Sequence, residues 1–231
     1  MKPKHRATVT DVTAVLLCGA LLFTVAFGVA DRRSGAVASP SPLILIDVGH
    51  GGADGGASAA DGTREKDINL AVARPLYDVL RMMGYTAEMT RTEDVMLNTE
   101  GESLRDRKVS DMRRRLQLVN NAELTVSIHQ NKFPETQYWG AQVFYSPNTE
   151  ESRVLAECVR EKLVSLVQPT NKRELKRGTD NVYLLHHAER PMVLVECGFL
   201  SNAEELALLK DKTYQQKLAF AVAAGTMTYV G

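Results

Sequence analysis

The sequence predicts an α/β fold, a mostly parallel twisted sheet flanked by helices, built as a single domain over residues 43–231. Three observations carry this. Short apolar runs alternate with longer segments of helical period, the order expected of strands joined by crossover helices. Three of those runs lie far apart in the chain and each finishes on one polar side chain: Ile44-Leu-Ile-Asp-Val-Gly-His50, Val126-Ser-Ile-His129 and Met192-Val-Leu-Val-Glu196. The helical segments are apolar on one face only, as helices laid on a sheet must be.

From Leu43 the order reads strand 43–48, helix near 67–83, strand 86–90, helix near 105–120, strand 124–130, strand 140–145, helix near 150–167, strand 181–185, strand 191–196 and two closing helices. The first helix repeats Val72, Leu76, Val79, Leu80 and Met83 at a 3.6-residue period, and the third repeats Leu155, Val159, Leu163, Leu166 and Val167. The last carries Tyr214, Leu218, Ala221, Val222, Gly225 and Tyr229, so all three stripes are core. Pro75 stands inside the first helix, where it removes the hydrogen bond to Ala71 and is expected to kink or delay the helix. Ser201 or Asn202 is placed to cap the helix from Ala203 to Lys210.

In open α/β sheets the carboxyl ends of parallel strands lie along one edge, so the fold gathers His50, His129 and Glu196. Glu65 joins them at the head of the first helix, behind a glycine-rich loop. Two imidazoles and one carboxylate make a catalytic zinc site that leaves a fourth position to water, with Glu196 free as the base. A lone histidine after a strand is more often structural than a ligand. The four residues taken together, with glycines crowding His50, favour the metal site. His186 and His187 follow an apparent strand and are assigned to the cleft rim or to packing.

The runs Asp47-Val-Gly-His-Gly-Gly52, Glu65-Lys-Asp67 with Asn69-Leu70, Ser127-Ile-His-Gln-Asn131 and Val195-Glu-Cys-Gly-Phe-Leu-Ser-Asn202 resemble the zinc-dependent N-acetylmuramoyl-L-alanine amidases of bacterial cell walls. The resemblance implies a zinc-hydrolase-like catalytic domain holding one Zn2+ on His50, Glu65 and His129, with Glu196 catalytic. It implies hydrolysis of the amide between the lactyl group of N-acetylmuramic acid and L-alanine. Val48 departs from the proline the family carries before Gly-His, which changes the stiffness of the turn and little else. The stretch Glu102 to Asn120, with Gly140-Ala-Gln-Val-Phe-Tyr145, is similar to the germination-specific amidases of endospore formers. Those relatives strip peptide stems in the spore cortex so that muramic lactam can form.

The basic stretch Arg105, Arg107, Lys108 and Arg113 to Arg115 is read as a solvated helix face, with Arg115 singled out as a contact for a muropeptide carboxylate or an anionic glycan. Asn131 is the other candidate for orienting substrate. Two rival readings use the same residues: a membrane-tethered pseudoenzyme that binds peptidoglycan or recruits wall enzymes, and a zinc carboxypeptidase or deacetylase.

The 28 basic and 28 acidic side chains cancel, so no diffuse charge draws nucleic acid. Specificity must come from the site, and the expected partners are peptidoglycan strands with their peptide stems, the membrane and a protein activator. Ahead of the domain, residues 1–11 carry Lys2, Lys4 and Arg6, and residues 12–30 are apolar from Val12 to Ala30. That run matches the roughly 20 residues a bilayer span requires, so it reads as a signal-anchor or a signal peptide, and both export the domain. Gly28-Val-Ala30 and Ala36-Val-Ala38 are tolerable cleavage sites, and 31–42 reads as a linker. Cys158 and Cys197 fit either small buried side chains or a disulfide.

Overall fold

Strands β1 (Ile44–Val48), β3 (Leu124–Asn131) and β6 (Met192–Phe199) are the three apolar runs of the sequence, and they form the centre of one sheet. The computed structural model describes residues 42–231. The segments 1–11 and 12–30, and nearly all of the linker, lie outside the described residues. β2 (Ala87–Met89) flanks β1, and β4 (Gln142–Tyr145) with β5 (Lys176–Arg177) completes the order β2-β1-β3-β6-β4-β5. Every pairing is parallel except β4 on β6. Parallel pairing of β1, β3 and β6 puts their carboxyl ends on a single edge.

Both faces of the sheet are covered, as a parallel sheet requires. Helices α1 (Glu65–Met82), α3 (Glu150–Leu166) and α6 (Lys212–Val230) pack on the larger side, where Ile44, Ile46, Val126, Ile128, Val193 and Val195 meet Leu76, Leu80, Leu155 and Leu218. Helices α2 (Leu104–Asn121) and α4 (Tyr183–His187) cover the other side through Val119, Leu184 and Leu185 against Leu45, Met192 and Leu194. Helix α5 (Ala203–Lys210) follows β6 and is capped by Asn202, whose side chain accepts from the Glu205 amide. Among the described residues no helix is long and apolar enough to cross a membrane.

Three expectations need correction. Residues 181–185 do not form a strand: Tyr183–His187 is a one-turn helix, because burying both Leu184 and Leu185 beneath α2 calls for adjacent residues on one side, which strand alternation cannot give. Pro75 does not delay its helix, since α1 starts at Glu65 and runs through Pro75 to Met82. The two-residue edge strand β5 was absent from the expected order, because Lys176 and Arg177 are both exposed and give no apolar signal.

Candidate active site

β1 ends at Val48, and the chain then turns through Gly49 to His50, whose backbone is left-handed at φ +60°. A non-glycine residue held there costs about 1–3 kcal/mol and needs support from its surroundings. The support comes from two guanidinium groups and one amide. Arg115 donates from Nη1 to Val48 O (2.7 Å) and from Nη2 to His50 O (2.8 Å). Arg91 Nη2 and Asn69 Nδ2 each donate to Gly49 O at 3.1 Å. Gly49 must be glycine for a different reason: a Cβ there would lie 2.4 Å from the His129 ring.

Glu65 is the first residue of α1, so the helix start aims its carboxylate at the strand ends. Its Oε1 lies 2.8 Å from His129 Nδ1 and its Oε2 lies 3.2 Å from His50 Nε2. The backbone amides of Gln130 and Ala57 donate to the same carboxylate, one to each oxygen. The ligand atoms of His50, Glu65 and His129 all fall within 4.8 Å of one another. Burial alone would raise the Glu65 carboxyl, but hydrogen bonds and charge from both histidines hold it far below the ordinary range. For His50, burial opposes the imidazolium, yet Asp54 and Glu65 together raise it to about 9.

This donor set fits zinc, which takes imidazole nitrogen and carboxylate oxygen. His50 also has the outer partner such ligands need, because Asp54 Oδ2 sits 2.8 Å from its Nδ1 and fixes the tautomer. Asp54 is in turn held by Lys108 Nζ at 2.6 Å.

Glu196 completes the arrangement. It pairs with His129 across β3 and β6 and with Gln142 across β6 and β4, so it points to the same side of the sheet as His129. Its Oε2 is sealed from solvent without a hydrogen-bond partner, and burial pushes its carboxyl up to about 7. An orphaned carboxylate oxygen beside a cation site is positioned to exchange a proton with whatever occupies the space between them.

Two imidazoles and a carboxylate on the carboxyl edge of a mostly parallel sheet, with an unpartnered carboxyl next to them, define a metallohydrolase. The chain belongs to the N-acetylmuramoyl-L-alanine amidase family, whose family model matches residues 44–227. It is 38% identical over 190 residues to the germination-specific N-acetylmuramoyl-L-alanine amidase of Bacillus subtilis, covering 81% of this chain and 79% of that one. Among solved structures it resembles the CwlD amidase of Clostridioides difficile, determined in complex with the GerS lipoprotein, with a TM-score of 0.78, 40% identity and coverage of 82% and 98%. An N-acetylmuramoyl-L-alanine amidase of Nostoc punctiforme gives a TM-score of 0.67 at 30% identity, covering 81% and 96%. The protein is a peptidoglycan amidase, and the fold is that of the amidase catalytic domain.

The structure brings His50, Glu65, His129 and Glu196 together and separates Arg115 from them in role. Arg115 is fully buried. Its Nη1 binds Asp47 Oδ1 (2.6 Å) and its Nε binds Asp111 Oδ2 (2.7 Å), in addition to the two carbonyls. Arg115 therefore has no donor to offer substrate and acts as a strut beneath His50. The rest of the basic stretch divides similarly, with Arg105, Arg113 and Arg114 exposed and Lys108 bound to Asp54. Asn131 lies at the register shift beyond His129, opposite Phe199, with its Oδ1 accepting from the Lys132 amide. His186 and His187 are exposed at the end of α4, in edge-to-face contact with each other and outside the cluster. Cys158 and Cys197 are both free thiols.

Proposed function

We propose that His50, Glu65 and His129 hold one zinc ion, that Glu196 is the general base, and that the chain strips peptide stems from muramic acid in a spore cortex. The observation that carries the site assignment is the 4.8 Å cluster with the orphaned Glu196 oxygen beside it. When bound, zinc polarises the scissile carbonyl and lowers the pKa of water toward about 7. The Glu196 carboxylate takes a proton from the attacking water and returns it to the departing amine of L-alanine, with no covalent intermediate. Asp54 keeps the His50 ring in its tautomer. Asn131 orients the substrate from the strand end next to His129.

Glu196→Gln should cut turnover by about 10²–10⁴ while the protein keeps its zinc. Wild-type turnover with zinc retained would remove Glu196 from the role.

The cortex assignment is supported by the 38% and 40% identities to the germination-specific amidase and CwlD. Mass spectrometry of cortex fragments from cells lacking the protein should show muramic lactam lost. Unchanged lactam would return it to a general wall amidase. The same relatives support an extracytoplasmic site of action, with residues 12–30 as the export or anchoring segment. They also support a protein partner, since CwlD was solved with a lipoprotein.

A further inference from the structure

The loop between β3 and β4 builds an aromatic shelf that the hydrolytic machinery does not use. Tyr138 and Trp139 are 40% and 43% exposed on the limb that leads into β4. The loop leaves β3 two residues past His129 and enters β4 at Gln142, which pairs with Glu196. Trp139 is therefore at most about 11 Å of extended chain from the row that carries the base.

The shelf is rigid. Arg173 Nε donates to Trp139 O at 2.8 Å, and its guanidinium lies 4.5 Å from the ring centre of buried Phe199 and 5.8 Å from that of Tyr138. Phe133 packs edge-on against both Tyr138 (5.4 Å) and Phe199 (5.2 Å). Gly140, at φ +89°, ends the loop with its amide on Glu205 Oε1 (2.9 Å), where any Cβ would strike Asn171. The Thr136 carbonyl accepts from Asn202 Nδ2 at 3.0 Å. The Tyr138 ring is thus exposed yet held, and Trp139 stands exposed on an anchored backbone, so the pair offers apolar contact area at low entropic cost to a ligand.

Trp139 lines two clefts, of about 490 Å³ and 310 Å³. The larger adds Gln137, Thr170 and Lys172 to the rings. Two exposed aromatic rings bordered by amide, hydroxyl and ammonium groups match a pyranose ring, which has an apolar C–H face and a hydroxyl rim. A peptide stem would call for a deep side-chain pocket or a free strand edge, and the shelf supplies neither.

We infer that Tyr138 and Trp139 form a subsite for the glycan strand flanking the scissile muramic acid, so that the enzyme grips the polymer next to the bond it cuts. This rests on the amidase reading and extends it to the sugars on one side of the site.

Trp139 is the chain's one tryptophan, so its fluorescence reports occupancy without a label. Titrating the full chain with chitotetraose or with stem-free glycan from a muramidase digest should shift its emission saturably, whereas free stem peptide should not. In Trp139→Ala, the kcat/KM for polymeric peptidoglycan relative to that for muramyl dipeptide should fall roughly threefold to tenfold, and Trp139→Phe should restore most of it. Emission unmoved by either glycan, emission moved by stem peptide alone, or an unchanged ratio in Trp139→Ala would each overturn the subsite. Failure of the wild-type chain to cleave either substrate would instead sink the amidase reading, and the glycan titration would still decide the shelf.

Discussion

Arg115→Lys keeps a positive charge and a long stem but replaces a planar fork with a point. One ammonium can stay with Asp47 and Val48 O, which share the Nη1 position. It cannot also reach Asp111 Oδ2 and His50 O, because these are bound by Nε and Nη2 on the other arms of the fork. Asp111 keeps only the Leu97 amide on its other oxygen and becomes a buried carboxylate short of its counterion. Breaking one side of a buried ion pair costs about 3–5 kcal/mol. For a domain of this size that lowers Tm by about 6–20 °C. The second consequence is local: without its carbonyl anchor the left-handed turn at His50 relaxes, and zinc affinity measured by chelator competition should drop. Urea unfolding of the metal-free protein reads the first effect and chelator competition reads the second. A lysine variant within about 1 kcal/mol of wild type and with unchanged zinc affinity would refute the strut.

Gly49→Ala places a methyl group 2.4 Å from the His129 ring, so the ring must rotate away and zinc binding and activity should both collapse, as metal analysis and muramyl dipeptide turnover would show. Asp54→Asn leaves the shape of the turn but removes the carboxylate that orients His50, and zinc affinity should fall about 10–100-fold in competition with a chelator. Acid stability tests Asp47. Burial favours its neutral form, but the Arg115 charge and the Ser127 hydrogen bond outweigh burial and hold its carboxyl below the ordinary 3.8. A carboxyl depressed in the fold adds stability that is fully present above its ordinary value and is lost as pH falls through the folded value. The gap in urea midpoint between wild type and Asp47→Asn should therefore be widest near neutral pH and shrink below about 3.8. A gap that stays constant across that range would mean that the Asp47 charge is not what Arg115 holds.

The four central residues were legible because their signal is topological. A polar side chain at the end of an apolar parallel strand must reach the common edge, and Glu65 at a helix start behind glycines faces the same way. Arg115 was misread because only Asp111 lies at helical spacing from it, while its main counterion Asp47 is 68 positions away and is reached only through the fold. Asp54 was missed for a related reason: four residues after His50, in a loop of glycines, it carries no periodicity, and its role depends on the turn closed between Gly51 and Asp54. The run 181–185 is short enough for a strand or one helical turn, and only the buried side beneath α2 decides between them.

The two outer strands of the sheet have a consequence for how the protein behaves in concentrated solution. β2 spans three residues with Glu88 turned to solvent, and β5 spans two, Lys176 and Arg177. Another chain that tried to extend either margin would find few backbone groups to join and would have to desolvate an exposed charge, so molecules sliding past one another gain little by strand addition.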